Sequence, residues 1–290
     1  MNSKTVLVTG ASTGIGRATV IHMDRLGWDV YAGVRKEADG EALRKESSPR
    51  LTPIIIDVAD GASIEATEKL VAEATGSAGL GGLVNNAGIT VQGPLEYLAL
   101  DEMRKQLEVN VVGQLAVTQA FLPLIRKGHG RIVFMSSIAG RARSLPLVAP
   151  YSASKRALEA IGESLQDELS PWDIKISLVE PGSIATEIWD KGDATFDEIL
   201  DALPPEGKDR YLTAANNGRK LAKATGNRGI PPERVAEKVA HALTSSRPRF
   251  RYLVGNDAKA RALIEPLVPS KVRSKATKRM LFGKDSPKTK

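Results

Sequence analysis

Apolar positions along the chain fall into two alternating kinds of stretch. Short runs, Thr5–Thr9, Asp29–Val34, Thr52–Asp57, Gly82–Asn85, Arg131–Ser136, Lys175–Val179 and Arg251–Val254, are mostly apolar throughout rather than alternating. Strands of that composition belong in parallel sheets covered on both faces. Between them, apolar residues recur at helical spacing near 14–27, 61–75, 101–127, 151–169 and 232–246. Repeated strand–helix–strand alternation predicts an α/β fold, a doubly wound parallel sheet with helices on both faces. Such sheets bind ligands at the carboxyl ends of their strands, so the residues that follow each strand are the candidates for chemistry.

One region breaks the rhythm. About fifty residues separate Gly182 from Pro231, and within them Phe196, Ile199, Leu200 and Leu203 form the apolar stripe of a short helix, with Asp197, Glu198 and Asp201 opposite. Pro204-Pro205 is expected to end that helix. A long insertion in a compact domain suggests a lid, here over 183–230.

Charge adds a boundary. The net charge is +7, but residues 271–290 carry eight Lys/Arg against one Asp, so residues 1–270 are neutral. The expectation is one domain over 1–270 and a basic, solvated tail over 271–290. A neutral body does not point to nucleic acid. Val272, Ala276 and Met280 would share one helical face flanked by Lys and Arg, a weak membrane-surface pattern. With no cysteine, disulfide, thiolate and Cys-metal chemistry are excluded. The three histidines, at 22, 129 and 241, form no H-x-x-x-H pair, so no metal site is expected. No signal-peptide pattern or long apolar run is visible, and a cytoplasmic location is the expectation.

The first strand runs into Thr9-Gly10-Ala11-Ser12-Thr13-Gly14-Ile15-Gly16 and then a helix. Glycines permit a tight turn and close backbone approach to a pyrophosphate, and the helix N-terminus adds free N–H groups. The spacing is G-x-x-x-G-x-G rather than G-x-G-x-x-G, so the strand–turn–helix context supports the reading more than the motif does. Gly10, Ser12, Thr13, Gly14, Ile15 and Gly16 are the candidate contacts. A NAD site usually places an acid on the ribose 2′-hydroxyl about twenty residues further on. Here the second strand ends Gly33-Val34-Arg35-Lys36, with Val34 about where the acid would stand. A guanidinium attracts a 2′-phosphate that a carboxylate would repel, so NADP(H) is favoured over NAD(H).

Tyr151-Ser152-Ala153-Ser154-Lys155 opens a helix, which puts Tyr151 and Lys155 on one face. A nearby ammonium eases phenolate formation and would let the phenol exchange a proton near neutral pH. The five-residue pattern is weak alone, and its context strengthens it. Ser136-Ser137 closes the fifth strand, where a hydroxyl could donate to a substrate oxygen or merely turn the chain. Asn85-Asn86-Ala87-Gly88 closes the fourth, as backbone packed on a cofactor or as a simple turn. Asn110 interrupts a helix as a poor helix former, with a polar task or a solvent-facing one.

Together these elements resemble the short-chain dehydrogenase/reductase family, whose fold is a single-domain Rossmann-type sheet. Thr9–Gly16, Asp57-Val58, Asn85–Gly88, Asn110, Ser136-Ser137, Tyr151–Lys155 and Pro181-Gly182 with Thr186 occur in the family's order. The resemblance implies that Tyr151 is the general acid/base, that Lys155 binds the nicotinamide ribose and lowers the tyrosine pKa, and that Ser137 donates to the substrate oxygen. Ser137 lies one position further from Tyr151 than in many relatives, which keeps Ser136 in play. It further implies a relay water at Asn110, adenine contacts at Asp57 and Val58, and a lining of Asn86, Ala87 and Gly88. Pro181, Gly182, Ile184 and Thr186 would sit at the carboxamide end, and Arg35 with Lys36 at the 2′-phosphate.

Pro248–Gly255 with Asp257-Ala258-Lys259 resembles the hydroxysteroid and retinol dehydrogenase branch, which implies a bulky lipophilic alcohol or carbonyl substrate. Ile188, Trp189, Phe196, Ile199, Leu200 and Leu203 fit an apolar pocket wall or core packing equally. The family commonly forms homodimers or homotetramers through the helices carrying Asn110 and Tyr151. The rival expectation is a non-catalytic NADP-binding sensor or scaffold of the same fold.

Overall fold

The computed structural model describes residues 3–185, 198–226 and 229–283. In chain order the elements are β1 (Thr5–Val8), α1 (Gly14–Arg25), β2 (Asp29–Val34), α2 (Glu37–Arg44), β3 (Leu51–Ile55), α3 (Gly61–Thr75) and β4 (Gly82–Asn85). Next come α4 (Leu100–Leu107), a π turn (Glu108–Val112), α5 (Gly113–Lys127), β5 (Arg131–Met135), α6 (Ala149–Glu168) and β6 (Lys175–Pro181). The chain then forms α7 (Pro205–Gly226), α8 (Glu233–Thr244), β7 (Arg251–Val254), α9 (Asn256–Ile264) and α10 (Ser270–Phe282).

The seven strands make one sheet, all parallel, in the order β3-β2-β1-β4-β5-β6-β7. The apolar strands are explained by their two faces. Along β1, Val6 and Val8 join a core with Val20 and Met23 of α1 and Val235 and Val239 of α8. Leu7 between them joins the opposite core, with Val117 and Phe121 of α5, Leu158 of α6 and Val71 of α3. Successive strand side chains point to opposite faces, so a strand covered twice must be apolar at every position. Each fully buried Leu or Phe contributes about 1.5–3 kcal/mol relative to exposure. Pro53 is tolerated in β3 because that strand is at the sheet edge.

Strand positions agree with the sequence pattern to within two residues. α2 carried little helical signal, since only Gly40 and Leu43 of it are buried. Residues 198–202 are helical and stop before Pro204, as expected, but Pro205 then opens α7. Proline suits a first helical position because the N–H it lacks would have no partner there. The basic segment read as solvated is helical through α10, which packs against α7. Leu281 is buried there, and Asn217 donates to the Leu281 carbonyl at 2.8 Å.

The continuous stretch Leu100–Lys127 is, by length and composition, apolar enough to cross a membrane, which the sequence pattern did not suggest. Its apolar side, including Val117, Phe121, Leu124 and Ile125, is buried in the core beneath the sheet.

Candidate active site

The strand order reverses between β1 and β4, and a crevice forms at that point in such sheets. The loop after β1 lies there. Gly10 and Gly14 have φ of 66° and 56°, a region that favours glycine. A Cβ on Gly16 would sit 2.1 Å from the Gly10 carbonyl oxygen, and one on Gly10 would sit 2.8 Å from Ala87 Cα. Thr13 makes no capping hydrogen bond, and the first turn of α1 contains no acidic residue. Its N–H groups and dipole are thus left for an anion, and the cradle fits a nucleotide pyrophosphate. Ser12, Thr13, Gly14 and Ile15 are partly exposed at its mouth.

Thr9, which closes this loop from below, was missed as a site residue. Its buried hydroxyl accepts from the Asn86 and Ala87 N–H groups, both at 3.1 Å. The Asn86 side-chain amide donates to the carbonyls of Thr9 and Gly10 at 2.9 and 3.0 Å. Asn86 therefore ties the loops after β1 and β4 together, and Ala87 and Gly88 present backbone. At the end of β2, Arg35 and Lys36 are exposed, and neither side chain has an ion pair or hydrogen bond among the described residues. Asp57 is exposed after β3 and accepts from the Ala59 N–H at 3.0 Å. Val58 is buried, so its side chain is a packing element there.

The loop after β5 and the start of α6 bring Ser137, Tyr151 and Lys155 together. Burial raises the Tyr151 phenol above its ordinary pKa, and a hydrogen bond with the Ser137 hydroxyl works the other way. Ser137 also accepts from the Ala139 N–H at 3.1 Å, which fixes its rotamer at the start of a short 3₁₀ turn. Lys155 is buried, its Nζ lies 5.6 Å from the Tyr151 ring centroid, and it donates to the Met135 carbonyl at 2.7 Å. Burial lowers the Lys155 ammonium to about 8, opposed by Glu159. Dehydration dominates both groups, and Ser137 is the group that lowers Tyr151.

Ser136 is excluded as the alternative donor because its hydroxyl is committed to Glu159 at 2.5 Å. Behind it lies an ionic cluster around two buried glutamates that sequence reading missed. Arg251 Nε lies 3.2 Å from both Glu159 and Glu180, and Arg141 is 3.6 Å from Glu180. Glu180 is fully buried, and neither of its carboxylate oxygens accepts a hydrogen bond among the described residues. Burial pushes its carboxyl up to about 7, with Glu159 adding to the rise. Glu159 carried a sequence signal, lying one helical turn beyond Lys155; Glu180 carried none inside an apolar strand.

Asn110 sits in the π turn and is fully buried. Its Oδ1 accepts from the Ile89 N–H at 2.8 Å, and its Nδ2 donates to the Ile89 carbonyl and Ser154 Oγ at 3.0 and 3.1 Å. Both amide hydrogens are therefore used, and the side chain holds the loop after β4 against α6. Gln106 and Gln114 do the same work. Gln106 accepts from the Val91 N–H at 2.6 Å and Gln114 donates to the Ala87 carbonyl at 2.8 Å. Thr118 continues the row by receiving Asn85 at 2.8 Å. A polar residue every fourth position from 106 to 118 was the available signal. π turns are rare and occur frequently at functional sites.

On the far side, Pro181 ends β6. Ser183 donates twice to Asp257, from its N–H and its hydroxyl, each at 2.7 Å. A Cβ on Gly182 would lie 2.3 Å from that carboxylate. Ile184 is buried and bridges to Ile230. Of the apolar insertion residues, Leu203 is buried, Leu200 packs with Leu147 and Ala215, and Ile199 reaches Gly93. Thr186, Ile188, Trp189 and Phe196 lie outside the described residues.

Comparison with known proteins agrees with this geometry. A family model described as short chain dehydrogenase matches residues 4–195, and the chain belongs to that family. It is an alcohol–carbonyl oxidoreductase with a nicotinamide cofactor. 17-beta-hydroxysteroid dehydrogenase type 6 of Bos taurus is 38% identical over 267 residues, covering 89% of this chain and 82% of its own. Retinol dehydrogenase 7 of Rattus norvegicus is 34% identical over 273 residues, covering 89% and 83%. The branch expected from residues 248–259 is the one these names represent. Among solved structures, a short-chain dehydrogenase from Streptomyces avermitilis superposes with a TM-score of 0.76 at 30% identity, covering 96% of each chain. One from Burkholderia cenocepacia J2315, in complex with NADP, gives 0.70 at 25%, covering 97% and 98%.

Proposed function

We propose that this enzyme uses NADP(H) to interconvert a bulky lipophilic alcohol, steroid- or retinoid-like, with its ketone or aldehyde. The observation that carries the reaction is the placement of Ser137 against Tyr151 with Lys155 buried beneath. Support for NADP(H) comes from Arg35 and Lys36, exposed and unpaired among the described residues at the end of β2, with Val34 in place of an acid. The substrate class rests on the named relatives and on the apolar packing around Leu147, Leu200 and Leu203.

The bound nicotinamide would supply hydride to the carbonyl carbon, or take it up in oxidation. Backbone N–H groups from Ser12 to Gly16 would hold the pyrophosphate, Arg35 and Lys36 the 2′-phosphate, and Asp57 the adenosine end. Ile184 and Thr186 would meet the carboxamide. Ser137 orients the substrate oxygen by donating a hydrogen bond, and Tyr151 gives up its Oη proton to that oxygen in reduction. Tyr151 is well suited to donate, because burial keeps the phenol protonated until the substrate oxygen develops charge. Lys155 then faces the phenolate and stabilises it. Asn110 fixes the loop after β4 that closes the site, and its side chain leaves only acceptor capacity for a relay water. A homo-oligomer through α4–α5 and α6 completes the reading.

Replacing Tyr151 with Phe keeps the ring and removes the proton. Steady-state NADPH oxidation across a panel of steroid and retinoid carbonyls is expected to fall by at least about 10²-fold, with NADP affinity within roughly twofold. Unchanged turnover removes the assignment, and silence of the unmodified enzyme on every carbonyl favours a nucleotide sensor. Light scattering in solution tests the oligomer.

A further inference from the structure

Arginines and a lysine from two distant parts of the sequence converge beside the C-terminal helix. A cleft of about 520 Å³ is lined by Arg141, Arg143, Arg156, Lys271 and Arg273, with the Ser270 and Ser274 side chains between them. The convergence is built. Arg143 donates to the Ser270 carbonyl at 3.3 Å, Arg261 donates to the Arg143 carbonyl at 3.4 Å, and Arg156 donates to the Ala142 carbonyl at 2.8 Å. Two carboxylates enter the cluster: Glu180 pairs with Arg141, and Glu265 pairs with Arg261 and Arg273. Lys271 and Arg156 have no ion pair among the described residues, so the cleft keeps a positive excess.

The second observation is independent of charge. The segment that leads into this cleft exposes large apolar side chains, with Leu263 71%, Ile264 59%, Leu267 81% and Val272 55% exposed. α10 continues the pattern. It turns Leu281 into the protein, while Val272, Ala276 and Met280 face outward beside Lys271, Lys275, Lys278 and Arg279. An apolar row exposed to water costs free energy unless something covers it. Its flanking cations select an anionic cover. A helix with that division, lying flat, inserts its apolar side among lipid chains while its basic flank meets headgroups.

We propose that α9, α10 and the Arg141–Arg143 loop form a docking surface for an anionic phospholipid bilayer, with the five-cation cleft seating a headgroup phosphate. Charge complementarity fixes the occupant. A second copy of this chain would bring its own cations against the same cleft, whereas a phosphate-bearing surface neutralises it. The exposed leucines supply the contact that a soluble phosphate has no use for.

The test is sedimentation of the full chain with phosphatidylcholine vesicles, with and without about 30% phosphatidylserine. Binding is expected to be at least roughly fivefold stronger to the anionic vesicles and to weaken as salt is raised. Lys271→Glu and Leu267→Glu are each expected to lower that binding by at least roughly fivefold. Both positions are exposed and outside the site that handles cofactor and substrate, so melting temperature and NADPH oxidation with a water-soluble carbonyl should be unchanged. Equal binding to neutral and anionic vesicles overturns the proposal, as does binding indifferent to Leu267→Glu. Stabilisation by inorganic phosphate with no vesicle binding overturns it in favour of a soluble anion site. A Leu267→Glu chain that changes only its oligomeric state overturns it in favour of an interface between copies.

Discussion

The two halves of the sheet's carboxyl edge solve different problems with different chemistry. From β1 to β4, the groups that shape the phosphate cradle are neutral, and the charged side chains of Arg35, Lys36 and Asp57 stand exposed beyond it. Thr9 and Asn86 tie loop to loop through backbone N–H and C=O groups, and glycines keep side chains out of the cradle. From β5 to β7, the groups are ionisable, with Lys155, Glu159 and Glu180 buried and Arg251 half-buried. Lys155, Glu159, Glu180 and Arg251 crowd the space behind Ser137 and Tyr151. A permanently charged ligand needs only a preorganised set of donors. Proton transfer needs groups whose ionisation is sensitive to small changes, and burying them costs stability. The nucleotide half should thus respond to shape and hardly to pH, and the catalytic half to both.

Lys155→Met should break the catalytic half most visibly. Turnover is expected to fall by about 10² or more, read by steady-state kinetics. Stability should move the other way, because a buried ammonium is removed. The folded-state pKa is about 8 against an ordinary 10.5. The unfolded chain therefore holds the extra proton between those values, and the penalty is complete below pH 8 and relieved as pH rises toward 10.5. Urea unfolding should show the Met variant gaining roughly 1–2 kcal/mol at pH 7 and little at high pH.

Gly16→Ala probes the neutral half. Its Cβ would meet backbone that has no room to yield, so NADP binding by calorimetry should weaken by about tenfold to a hundredfold. The loss should be the same at pH 6 and pH 9, since no titrating group is involved; a pH-dependent loss would erase the distinction between the halves. Arg35→Asp should be milder and selective. Affinity for NADP should drop about tenfold while affinity for NAD holds or improves. Equal loss for both cofactors would leave Arg35 without its proposed partner.

Glu180→Gln carries the smallest effect and the opposite pH sign from Lys155→Met. The folded-state carboxyl sits at about 7 against 4.5. Between those values the folded protein holds a proton that the unfolded chain has lost, so stability falls as pH rises and the penalty is complete above about pH 7. The Gln variant should be more stable by about 1 kcal/mol at pH 8 and unchanged near pH 4.5, measured by urea unfolding.

Much of the neutral half was legible in the sequence because its determinants are local. Gly10, Gly14 and Gly16 follow their strand directly, and continuous apolar runs announce strands covered on both sides. The basic pair Arg35-Lys36 could be read by position alone. Less of the catalytic half was legible. Ser136 and Ser137 are neighbours with the same chemistry, and only the Glu159 contact separates them. Glu180 lies inside a strand between the apolar residues Leu178, Val179 and Pro181, and its pairing with Arg251 joins positions that sequence spacing does not relate. Asn110 drew attention as a poor helix former, yet the π turn that buries it depends on the packing of Ile89 and Ser154 around it.

The sequence by itself determined the seven-stranded α/β architecture, the phosphate cradle, and the Tyr151–Lys155 pair, because periodicity, glycine content and helical spacing act over a few residues. Tertiary structure alone decided which serine is free, how far burial moves Tyr151 and Lys155, and that basic residues near 141–156 and 271–273 share one cleft. Those properties depend on dehydration and on charges brought together from distant parts of the chain, and both arise only when the layers close.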